Sequence, residues 1–174
     1  MKFILPIAFA FAASAFAQDK GMSCPMHDEH MKKQAADRHA GVNERGDHAM
    51  GFSHEKTAHH FRLLKDGGAI EVQVNDASDS ASRNEIRGHL THIAQMFTDG
   101  NFEIPMFIHD QVAPGIVVMK DRKARIQYRF ESTEQGARVR IVTKDKKALQ
   151  AVHEFLRFQI SDHQTGDTST VSGF

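Results

Sequence analysis

The chain has no tryptophan, one tyrosine, one cysteine and four prolines in 174 residues. A single cysteine cannot close an internal disulfide, so Cys24 is a free thiol, half of an intermolecular bridge or a ligand, and the core must hold without a staple. Neither sign of charge is in excess, since 22 Lys and Arg balance 22 Asp and Glu. Bulk electrostatic attraction to nucleic acid or to an anionic membrane surface is therefore not implied. Also missing are a Gly-rich phosphate loop, a Cys-x-x-Cys-His haem attachment, a Gly-x-Ser-x-Gly elbow and a His-Glu-x-x-His helix. The motif-bearing nucleotide, haem, hydrolase and zinc-protease classes lose their support.

Long apolar runs are confined to the beginning. Lys2 precedes an apolar run from Phe3 to Ala13, broken by Pro6, and Ala15-Phe16-Ala17 is a small-x-small site of the kind cut by signal peptidase. The run is far shorter than the ~20 residues that span a bilayer. Residues 1–17 are expected to be a signal peptide, giving an exported chain, periplasmic or secreted, without membrane insertion after cleavage. Loss of Lys2 leaves it with one excess negative charge.

Between Gln18 and Ala49 there is no Leu, Ile, Phe, Tyr or Trp and only one Val. Such a stretch buries too little apolar surface to offset its ordering entropy, so residues 18–49 read as a disordered tail. What the tail does contain is soft donors. Met22, Cys24, Met26, His27, His30 and Met31 fall within ten residues. Thiolate and thioether favour Cu(I), and imidazole suits copper, zinc or nickel. The expected function is transition-metal binding, with copper first, zinc or nickel next, and Cys24, Met26, His27, His30 and Met31 as ligands.

From Met50 the composition changes, and residues 50–163 are long enough for one modest domain. Ile70, Val72 and Val74 alternate with polar neighbours, Asp66-Gly67-Gly68 reads as a turn, and His59 to Lys65 is the partner strand. Ile126, Tyr128 and Phe130, then Val139 and Ile141 after Glu134-Gln135-Gly136, repeat the pattern. Each hairpin precedes a helical stripe. The first is Ile86, Leu90, Ile93 and Phe97, with Ser80 or Ser82 as cap and Gly100 as stop; the second is Leu149, Val152, Leu156 and Ile160, with Asp145 at the cap. The predicted fold is α+β, a two-layer sandwich of a four-stranded, mainly antiparallel sheet with two helices on one face, in the order ββαββα. Arg125, Arg129, Arg138 and Arg140 are expected on the solvent side of the sheet, and residues 164–174 are read as a flexible end. The segment from Phe102 to Met119, interrupted by prolines yet apolar, is expected across a sheet edge or over a pocket.

Within the domain, His89, His92 and Met96 fall on one flank of the first helix at spacings of three and four, a copper-type donor set if they converge. The competing reading makes Met96 core padding and the histidines boundary residues. His59 and His60 point to opposite faces of a strand, and His59 shares its face with Phe61 and Leu63, the face the helices cover. His109, followed by Asp110, lies in the irregular segment and is the next candidate. A small metal-dependent enzyme with a pocket formed by His59, His89, His92 and His109 is the alternative function. A third is a module whose Arg-lined sheet face docks another envelope protein.

Cys24-Pro25-Met26-His27 resembles the short heavy-metal-binding segment of bacterial copper-export and resistance proteins, although Ser23 and Asp28 replace the flanking aromatic and proline. Met50-Gly51-Phe52-Ser53, His59-His60-Phe61, Phe155 to Ile160 and His163 to Asp167 together resemble an uncharacterised family of small exported bacterial proteins, some of them labelled aspartate carbamoyltransferase. That activity does not suit this chain. It is too short for a two-domain transferase and lacks a Ser-Thr-Arg-Thr phosphate loop at a helix start.

Overall fold

A computed structural model describes residues 25–172. Two antiparallel hairpins, β1 (Thr57–Leu64) with β2 (Gly67–Val74) and β3 (Ile126–Ser132) with β4 (Gly136–Thr143), join through β2 and β4. The result is one fully antiparallel sheet of order β1-β2-β4-β3. The long helices α2 (Ser80–Thr98) and α5 (Lys146–His163) follow the two hairpins and pack on the same sheet. The predicted α+β class and the strand-strand-helix repeat stand.

The alternation read from sequence places the core. Phe61, Leu63, Val72, Val74, Val139 and Ile141 face Ile86, Leu90, Ile93, Val152, Phe155 and Leu156, all buried. Leu149 differs from expectation and is only half-buried; Ala148 and Ala151 are buried instead. α5 also packs closely on Gly115, where a Cβ would come within 2.1 Å of the Ala151 carbonyl oxygen and φ is +84°. Gly68 is not in the hairpin turn as predicted. Lys65-Asp66 makes the turn, and Gly68 lies inside β2, where a Cβ would meet the Leu156 side chain at 2.2 Å.

Caps close both helices. Asp145 accepts from the Lys147 and Ala148 amides, as the sequence suggested. For α2 the cap is Asp79, not Ser80 or Ser82, and its carboxylate accepts from the Ser82 amide. Arg140 departs further. It is 9% exposed and donates to Asp66 and to the Gly68 carbonyl, tying the β1–β2 turn to β4 instead of facing solvent.

Composition misjudged the two ends. From Pro25 to Met50 the expected disordered tail is instead helix α1 (Pro25–Met50). Residues 29–38 are exposed, but its single valine, Val42, is fully buried, and polar anchors hold the second half: Arg38 to Asp162 at 2.7 Å and Arg45 to the Ile108 carbonyl at 2.8 Å. Met50 then packs on the core. The helix survives through tertiary docking of a short stretch, which an average over the whole segment conceals. At the other end, residues 164–172 were expected to be flexible. Instead Asp167 accepts from the Phe61 amide at 2.9 Å, and Ser172 donates to the Leu63 carbonyl, covering the outer edge of β1.

The irregular stretch forms two short helices, α3 (Glu103–His109) and α4 (Ile116–Asp121), separated by Pro114 and Gly115. Among the described residues, no helix is long and apolar enough to cross a membrane.

Candidate histidine-lined site

Four histidines meet where α1, β1, α2, α3 and α5 converge. His59 stands on the helix-covered face of β1, as its register with Phe61 requires. His89 projects from α2, His109 ends α3 and His163 ends α5. The His59 and His163 rings stack, with centroids 5.6 Å apart and planes 1° from parallel. His109 meets the same ring edge-on at 4.9 Å. Phe52 bridges the group, stacked on His59 at 6.1 Å and edge-on to His89 at 5.7 Å.

Behind these rings lies a cavity of about 60 Å³, walled also by Gln159 and by apolar side chains such as Val72, Ile93 and Phe155. In front of them, between α1 and β1, a cleft of about 250 Å³ also carries His39, His54 and His60. Met50, His59 and His163 line both spaces and form the partition.

Burial controls the charge of the partition. Desolvation, followed by the neighbouring His89, lowers His59 to about 4; desolvation and then His59 and His109 lower His163 to about 3. His89 falls to about 4 through desolvation and then His92. These rings are neutral at physiological pH, with lone pairs available for a metal or a hydrogen bond.

His109 is held differently. It is 2% exposed; Nδ1 lies 2.5 Å from Asp162 and Nε2 lies 2.8 Å from Gln159 Oε1. Burial would raise the Asp162 carboxyl, but hydrogen bonds from Arg38 and His109 bring it below the usual range. Both nitrogens of His109 are therefore occupied. Gln159, 3% exposed, spends its oxygen on His109 and leaves Nε2 without a partner.

The outer histidines have partners of their own. His54 pairs with Asp47 at 2.9 Å, and His60, on the opposite strand face from His59, pairs with Asp167 at 3.1 Å. His153 donates to the Leu64 or Gly67 carbonyl and serves packing.

The predicted site residues thus divide. His59, His89 and His109 come to one cavity. His92 is exposed and Met96 packs against the core, so the convergence of His89, His92 and Met96 does not form. The helix presents them on adjacent but different sectors, with Met96 drawn inward and His92 outward. In α1, His30 and Met31 are exposed. Cys24 and the side chains of Met26 and His27 lie outside the described residues. Among the described residues, no group of three or more His, Cys, Asp or Glu is arranged to hold a metal ion.

His163 and Gln159 were missed as site residues. The signal was present: continuing the stripe of Val152, Leu156 and Ile160 by three residues reaches His163, and Gln159 lies four residues before it on the same face.

Comparison with protein-family models, with curated proteins and with solved structures finds no match for this chain.

Proposed function

We propose that this is an exported transition-metal-binding protein, with copper as its ion and the segment from Cys24 to Met31 as its capture element. The observation that carries the reading is the exposure of the described donors. His30 and Met31, the latter 51% exposed, stand in the early turns of α1 while its later turns dock on the domain. In a helix that starts at Pro25, positions 27, 30 and 31 share one face, directly after the thiol of Cys24. Soft donors of this kind suit Cu(I) over the harder divalent ions.

Titration of the mature chain against a competing Cu(I) chelator tests this. Replacing Cys24 by Ser together with Met26 by Leu is expected to weaken binding at least about tenfold, one decade being 1.4 kcal/mol. Unchanged affinity would overturn the soft-donor reading.

The gathering of His59, His89 and His109 favours a second reading, a small metal-dependent enzyme using the domain histidines. With both nitrogens of His109 engaged, such a site rests on His59, His89 and His163, and an ion would require their rings to turn. Retention of a metal by a chain lacking residues 18–31, lost on His59→Phe, is the result that would promote this reading over the first.

A further inference from the structure

We propose that the cavity behind the His59–His163 pair is a binding site for a small uncharged molecule, with an apolar body and a single hydroxyl or carbonyl oxygen held by the side-chain amide of Gln159. Three features carry this independently of the metal reading. A buried amide group without a partner is destabilising, and Gln159 Nε2 is such a group in the lining of the cavity. The need does not vanish if the amide is turned over. A neutral His109 donating to Asp162 then accepts from the Gln159 amide nitrogen, and the amide oxygen becomes the unpartnered atom. A hydroxyl serves either orientation, since it donates and accepts.

The second feature is the lining. Among the described residues no Asp, Glu, Lys or Arg lines the cavity, so a charged ligand would lose its hydration without a counter-charge. An apolar wall with a few convergent polar groups, here Gln159 and the neutral histidine rings, is the usual composition of a small-molecule site. Size narrows the class further. An engineered cavity of about 150 Å³ accepts benzene; one of about 60 Å³ suits a molecule of roughly three to five non-hydrogen atoms, such as a short-chain alcohol or ketone.

The third feature is a route. Met50, His59 and His163 separate the cavity from the cleft against α1. Met50 is an unbranched, adaptable side chain, and the stacked rings belong to different elements, one on β1 and one at the end of α5. Rotation of these side chains would join the cavity to the cleft without unfolding the sheet.

The test uses 2-propanol as probe on the mature chain, followed by two-dimensional NMR of backbone and side-chain amides. Saturable shifts are expected at the Gln159 side-chain amide and around the cavity, with none elsewhere of equal affinity. Gln159→Leu should weaken the saturable response at least tenfold, while xenon, which needs no hydrogen bond, should still enter that variant. Ile104→Phe, which fills the cavity from its half-buried rim, should abolish both and covers the case in which Gln159→Leu does not fold. The proposal is overturned if the shifts do not saturate or if Gln159→Leu binds 2-propanol as the natural chain does. It is equally overturned if an ordered water stays on the Gln159 amide in crystals soaked with the probe.

Discussion

At the residue scale, histidine carries most of the information. Twelve are present, and the fold puts them to different uses: His59, His89 and His163 are kept neutral by burial, His109 is clamped by Asp162, and His54 and His60 sit beside carboxylates. The neutral set makes stability sensitive to acid. In the unfolded chain an imidazole takes up its proton near pH 6.5, whereas folded His59 and His89 resist until about 4 and His163 until about 3. Between those values the unfolded state binds more protons, so stability falls as pH falls below 6.5, with no such loss above it. By pH 5 each ring should contribute a loss of roughly 1–2 kcal/mol. Urea denaturation at pH 7 and pH 5 measures this, and His163→Phe should flatten the dependence; an unaltered slope would assign the acid loss to other groups.

Asp162 gives a second expectation at this scale. It holds the ring of His109, which is 1% exposed, and the guanidinium of Arg38. Asp162→Asn should cost about 1–3 kcal/mol, because His109 loses the carboxylate that organises it. Denaturation at neutral pH is the measurement. A cost below about 1 kcal/mol would show that the pair is replaceable by a neutral hydrogen bond.

At the scale of elements, β1 to β4, α2 and α5 were legible because each obeys a simple period. Alternation marks one buried sheet face, and spacings of three and four mark one buried helix stripe. Helix α1 was not legible. Its packing depends on Val42 and a few polar anchors, and the sequence around them has the composition of an unstructured segment. Val42→Asp should therefore release α1 while the sheet and α5 persist. Hydrogen exchange would report it as lost protection in residues 38–50 with retained protection in β2 and β4; preserved protection in α1 would mean that the polar anchors suffice.

The site was half legible for the same reason. The face of β1 that His59 occupies follows from its neighbours Phe61 and Leu63. The meeting of His59 with His163 and His109 depends on how α3 and α5 end against β1. Residues 104 positions apart in the chain cannot be paired by any local period.

At the scale of the whole molecule, α1 and residues 164–172 turn a sheet-and-helix domain into a closed unit. One covers the cleft in front of the histidines and the other seals the outer edge of β1. The sequence suggests that residues 50–163 stand alone, whereas the structure packs both ends against them. Deleting residues 18–49 should lower the melting temperature by several degrees, since about 1 kcal/mol shifts a domain of this size by roughly 2–8 °C. It should also expose the His59–His163 pair to solvent. An unchanged melting temperature would restore the independent domain.

The sequence by itself determined the class of the fold, the two strand-strand-helix units, the face that each strand and each long helix buries, and the concentration of soft donors between Met22 and Met31. Those are local properties, written in side-chain periodicity and composition. Only the tertiary structure decided that α1 is ordered from Pro25, that Arg140 is buried, and that His59, His89, His109 and His163 share one cavity with Gln159. Such outcomes depend on contacts between distant segments, where one buried valine or one carboxylate against a ring outweighs the average character of the stretch around it.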